Sequence, residues 1–140
     1  MESRAEKSVE RMKKGYNCAQ AVACTYCDLV GIDEVTMFKL TEALGHGMGN
    51  MEGTCGAISG AVLLAGMKGS TGNIEKPESK QTSYGYSKAV LAQFQAMNGA
   101  TICKDLKGAE TGKVLRACSG CIKDAALLAE QIIFPELFKD

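Results

Sequence analysis

The segment CGAISGAVLLAGM, residues 55–67, constrains this chain more than any other stretch. It is apolar on nearly every side of a helix. It is also far shorter than the roughly 20 residues that span a bilayer. A helix greasy all round and too short for a membrane belongs at the centre of a bundle, with neighbours on all sides. Thr54 is the expected N-cap. Gly56, Gly60 and Gly66 each cost about 1 kcal/mol against alanine in a helix interior. Three of them predict that neighbouring backbone comes too close for a side chain.

The rest of the chain agrees with that centre. It has only two prolines, Pro77 and Pro135, and no β-branched runs. Alanine, leucine, glutamate and lysine alternate with glycine punctuation, which favours helices. The pattern predicts helices over 2–14, 18–30 (capped by Asn17 and ended by Gly31), 33–44 (closed by Gly45), 55–67, 79–97 and 120–134. Tyr84, Leu91, Phe94 and Met97 fall near one face of the fifth. Ile122, Ala125, Ala129, Ile132 and Ile133 form a stripe on the last, which Pro135 stops. No repeat or linker divides residues 1–140. The expected fold is a single-domain, all-α bundle of about six helices.

Sixteen basic residues balance sixteen acidic ones, which leaves no electrostatic footprint for nucleic acid or an anionic membrane surface. The N-terminal stretch MESRAEKSVERMKKG is charged throughout and lacks the apolar segment of a signal peptide. The expectation is a cytoplasmic protein without membrane insertion. In a reducing compartment, seven cysteines, an odd number, do not read as a disulfide framework. Any one of them reads as a small buried hydrophobe; seven together do not.

Cys18 and Cys55 fall at predicted helix starts, Cys118 just before or at the last one, and Cys103 in a short loop between helices. Free N–H groups and the dipole at a helix N-terminus favour thiolate, which is both nucleophile and metal ligand. Ahead of Cys55, Gly45, Gly47, Gly49 and Gly53 allow backbone to approach a bulky group and turn N–H donors toward it. Otherwise this stretch is a plain interhelical connection. A dinucleotide fingerprint is excluded, because no strand precedes the loop and the spacing is GxGxxxG. Two CxxC pairs, Cys24/Cys27 and Cys118/Cys121, each share a helix face. Packing is the expected role of the first. The two pairs lie too far apart for a zinc ribbon. His46, the only histidine, is a candidate ligand or proton carrier.

GYNCAQAV at 15–22, GMGNMEGTCGAISGAVLLAG at 47–66, CKDLKG at 103–108 and CSGCIKDAALLAE at 118–130 together resemble the C_GCAxxG_C_C family of redox-active proteins. The resemblance implies a small domain holding a redox centre, with an oxidoreductase or transporter as partner. It selects Cys18, Cys55, Cys103 and Cys118, with Cys121 a close competitor for the fourth place. His46 departs from the pattern, standing where glycine is expected, and Cys24, Cys27 and Cys121 are additional. The leading expectation is an iron–sulfur cluster for electron transfer on Cys18, Cys55, Cys103 and Cys118, with N–H donors from Gly47, Gly49 and Gly53. The alternatives are a reversible disulfide between two of these cysteines, or a structural zinc or helical interaction domain.

Overall fold

The computed structural model describes residues 1–139. Among the described residues seven regular helices run in chain order: α1 Ala5–Lys13, α2 Cys18–Tyr26, α3 Glu34–Thr41, α4 Gly56–Gly69, α5 Lys80–Asn98, α6 Cys103–Lys107 and α7 Cys118–Leu128, with a kinked four-residue turn over Gly45–Met48 ahead of α4. A tight 3₁₀ turn over Cys27–Val30 follows α2, and another over Glu42–Leu44 follows α3. A π-helical turn over Ala129–Ile133 extends α7. Among the described residues there is no strand, only one antiparallel bridge between Thr54 and Ile102. No helix among them is long and apolar enough to cross a membrane.

The helix boundaries follow from local chemistry. Asn17 caps α2 through a capping box: its side chain accepts from Gln20 N (2.9 Å) and Gln20 Oε1 accepts from Asn17 N (2.9 Å). Such a cap is worth about 1 kcal/mol. Asp33 does the same for α3, accepting from Thr36 N at 3.0 Å. Two expectations at the starts of helices change. Thr54 does not cap α4, because it is held in the bridge to Ile102. Cys55 takes that place, its N–H donating to Thr101 O at 2.8 Å. The stretch around Cys103, expected as loop, forms the one-turn helix α6, closed by Gly108 in the left-handed region (φ 69°).

Helix α4 is the centre of the bundle and packs against α2, α5 and α7. Ala57, Ile58, Ala61, Leu64 and Ala65 of α4 join Val22 and Tyr26 of α2, Phe94 of α5, and Ile122 and Ala125 of α7 in the core. Burial at this scale, about 25 cal/mol per Å² of apolar surface, drives the fold. The neighbours are not on all sides: Ser59, Val62 and Leu63 form a half-buried stripe. On α5 the buried positions are Val90 and Phe94; Tyr84 and Met97 lie outside the core, 58% and 49% exposed. The last stripe is buried at Ile122, Ala125, Ala129 and Ile133, with Ile132 half-buried.

The central glycines separate by need. A Cβ on Gly60 would lie 2.6 Å from Ala19 O, and one on Gly56 would lie 3.1 Å from Gly45 Cα and 3.2 Å from Cys18 Cβ. These two let α2 and the loop at Gly45 close onto the first turns of α4. Gly66 meets nothing within 4 Å.

Candidate functional site

Close contact between α2 and α4 brings Cys18 beside Cys55. Helix α7 enters from the other end of the chain with Cys118 and Cys121 on the same face of its first turn. Helix α6 adds Cys103. All five cysteines line one cavity with His46, Gly56, Leu106, Lys107 and Arg116. Cys55, Cys103 and Cys121 are buried; Cys18 and Cys118 are half-buried nearer its mouth. The free space between the side chains is small, about 10 Å³, the room of about one water molecule.

The thiols associate two by two. Cys18 is coupled to Cys118, and Cys55 to Cys121. In the outer pair, Cys18 pulls the Cys118 thiol down to about 6, against opposing burial, with further help from Lys107 and His46. In the inner pair, Cys121 lowers Cys55 to about 7, helped by backbone hydrogen bonding from Ala57 and Ile58 at the start of α4. Cys18 and Cys121 move the other way, raised first by these partners and then by burial. Cys121 Sγ donates to backbone, to Arg116 O at 3.8 Å. Each pair titrates as a unit. Cys18 departs from its expectation: it sits at a helix start, yet its thiol is raised by its neighbour Cys118 and by burial. Cys118 and Cys121, the CxxC pair, are not partners of each other; each faces a cysteine from a different helix.

Cys103 is the unpaired fifth thiol, raised by burial, with Lys107 opposing. Its N–H donates to Gly53 O at 3.0 Å. A Cβ on Gly47 (φ 57°) would lie 2.5 Å from Cys103 Cβ, so Gly47 is the floor under α6. The expected N–H donors of the glycine loop are partly committed elsewhere: Gly49 N donates to Gly45 O and Gly53 N to Gly47 O, both at 2.9 Å. The loop works by shape, bringing backbone against Cys103. Gly49 (φ 85°) touches nothing beyond the loop within 4 Å of its would-be Cβ.

His46 adopts φ 56° and ψ 39°, the left-handed region that favours glycine. Its Nδ1 lies 3.2 Å from Lys107 Nζ. A lysine ammonium only donates, so the imidazole accepts there. Lys107 also lies near enough to Cys118 for its charge to favour the thiolate. Arg116 is held by Asp124 through Nε–Oδ2 at 3.1 Å and Nη2–Oδ1 at 3.2 Å, and Asn98 also donates to that carboxylate. Gly120 makes room for this guanidinium, since a Cβ there would lie 2.3 Å from Arg116 Nε. Lys107 and Arg116 are the site residues that sequence reasoning did not select; Cys121, the competitor for the fourth place, lines the cavity together with Cys118. Lys107 had a signal, lying four residues after Cys103 on one helix face.

Cys24 and Cys27 stand apart from this cavity. Cys24 Sγ donates to Glu34 O at 3.8 Å and Cys27 Sγ to Cys24 O at 3.4 Å. Burial pushes Cys24 up to about 12 and raises Cys27 as well, as expected of packed thiols.

The donor chemistry suits a thiolate-ligated metal group, but the placement does not. Among the described residues no three His, Cys, Asp or Glu side chains are grouped to hold a metal ion. The space between the thiols is too small for a cluster core unless the pairs part. The arrangement suits chemistry between two sulfurs at a time.

No curated protein and no solved structure matches the chain. A family model described as "Putative redox-active protein (C_GCAxxG_C_C)" matches residues 16–132.

Proposed function

The chain belongs to the C_GCAxxG_C_C family, and from that premise we propose that its cavity is a redox centre working by thiol–disulfide exchange. One observation carries this reading: cysteines from α2, α4 and α7 meet in one cavity, where Cys18/Cys118 and Cys55/Cys121 are coupled pairs, each with one lowered and one raised thiol. A lowered thiol beside a protonated partner is a nucleophile with its resolver in place.

Cys18 and Cys118 are both half-buried, and Cys118 is the lowered thiol with Lys107 beside it, so it attacks one sulfur of a disulfide substrate. The first substrate thiolate leaves and takes a proton from solvent. Cys18, losing its proton to solvent, then attacks Cys118 in the mixed disulfide. The second substrate thiolate departs, and a Cys18–Cys118 bond remains. Two electrons pass to the substrate, which becomes two thiols. The buried Cys55/Cys121 pair exchanges with the outer pair inside the cavity by the same steps.

The test is an anaerobic thiol titration of wild-type protein and of Cys118→Ser, with iron, sulfide and zinc measured on the same samples. The reading expects two electrons per oxidised pair, without metal, and loss of the outer pair in the variant. Stoichiometric iron and sulfide would assign the thiolates to an iron–sulfur cluster instead, a reading supported by the convergence of five thiols from four stretches of chain. Stoichiometric zinc would make the site structural.

A further inference from the structure

The cavity through which a substrate reaches Cys118 has a one-sided charge. Its polar side chains other than thiols are His46, Lys107 and Arg116, and no carboxylate lines it. This asymmetry is local, because the chain as a whole carries equal numbers of basic and acidic residues. Three acids on neighbouring stretches are engaged elsewhere: Asp124 grips Arg116 from the side of α7, and Glu52 and Glu110 pair with Lys104; Asp105 of α6 is exposed and does not line the cavity.

The two cations are held differently. Lys107 has no carboxylate partner among the described residues; its amine nitrogen lies 3.2 Å from His46 Nδ1, and it lines the cavity with Cys118. No carboxylate offsets its charge there. Arg116 is fixed by the bidentate contact with Asp124, yet 42% of its side chain stays exposed. A guanidinium held on one edge can still meet a carboxylate with another. His46, exposed on its left-handed turn, places a ring beside Lys107. The free space among the sulfurs is about 10 Å³, so a substrate does not enter. It must present its sulfur at the mouth, with its substituents lying over these side chains.

We infer that the substrate is a small disulfide whose substituents carry carboxylates, with Lys107 and Arg116 as the residues that recognise them. This rests on the thiol–disulfide reading and names the substrate class of that same site. The recognising charges act on approach and in the mixed disulfide, where a carboxylate stays beside Arg116 while Cys18 resolves the bond. The exchange is the one already described: two thiols of the protein become one disulfide, and the substrate disulfide becomes two thiols. No further oxidant is needed.

Three small disulfides of graded charge test this on the reduced, anaerobic, full-length protein: dithiodipropionate (dianionic), hydroxyethyl disulfide (neutral) and cystamine (dicationic). Each second-order rate is divided by the same disulfide's rate with a small uncharged thiol, which removes intrinsic reactivity. At low ionic strength the normalised rate should be at least ten-fold higher for the dianion than for the dication, within the range electrostatic steering supplies. In molar salt the ratio should fall toward one. Arg116→Gln should lose much of the preference, and the wild-type series stands even if that variant folds poorly. A ratio near one at low salt, or a preference for the dication, overturns the inference while leaving the redox centre intact, provided the neutral disulfide reacts. No reaction with any of the three removes the redox reading, and this inference with it.

Discussion

Gly60 and Ala19 lie so close that a methyl group on Gly60 would stand 2.6 Å from the Ala19 carbonyl oxygen. The carbonyl belongs to α2 backbone and cannot rotate away, so α2 would have to move off α4. Gly60→Ala should destabilise by roughly 1–3 kcal/mol, and Gly60→Leu by more. Gly66→Ala, on the same helix in open space, should instead stabilise by about 0.5–1 kcal/mol. Urea melts of the three variants decide it; equal effects at both glycines would show that α2 and α4 are not in this contact.

The outer thiol pair sets a pH profile. Cys118 is lowered to about 6 from an ordinary thiol value of 9.0. A lowered thiol is thiolate above its shifted value and loses that form as pH falls through it. Iodoacetamide labelling at Cys118, mapped by mass spectrometry, should rise between pH 5 and 7 and then level off. An ordinary thiol would keep gaining to pH 9. Cys18→Ala removes the neighbour that lowers Cys118 most and should move the midpoint upward. A Cys118 profile still climbing at pH 8 would contradict the pairing.

His46 occupies a backbone conformation that an L-residue adopts at a cost of about 1–2 kcal/mol. Its compensating contact, with Lys107 Nζ, is exposed. His46→Gly should therefore raise stability, by up to about 1 kcal/mol after losing that contact. His46→Val, β-branched, should lower it. Thermal melts showing glycine no better than histidine would mean the Lys107 contact outweighs the backbone strain.

Cys55→Ser separates chemistry from architecture. The hydroxyl occupies similar space, so melts should show a modest loss. The Cys55/Cys121 pair should vanish from an anaerobic dithiol titration while Cys18/Cys118 still oxidises. Collapse of the fold would point to metal whose binding energy is part of the folding energy.

Local features of this fold are legible in the sequence where one residue and its neighbours decide. Asn17 announces the start of α2, and Gly60 in a greasy helix announces close backbone. The left-handed backbone at His46 is seen only in the structure. Helix α6 escapes notice because five residues are too few for a period. The cysteine partners are not legible either: Cys18 and Cys118 are 100 positions apart (118 − 18), and Cys55 and Cys121 are 66 apart (121 − 55). Only the packing of α2, α4 and α7 decides which sulfur meets which. The same holds for Arg116, whose place at the cavity depends on Asp124 lying two turns along α7.

One turn of α7 holds both Cys118 and Cys121, so oxidising the two pairs would fasten α2 and α4 to the same few residues. A bond between Cys18 and Cys118 would close a ring of about a hundred residues, and chain-entropy arguments assign such a ring roughly 4.7 kcal/mol of stabilisation. A thermodynamic cycle requires the converse: the native chain must favour forming that bond, relative to the unfolded chain, by the amount the bond favours the native chain. In the thiol–disulfide reading, electron content and resistance to unfolding would then be coupled: oxidation would tie α2 and α4 to α7, and reduction would remove those ties and leave the helices to the packed core alone, as they stand here with free thiols.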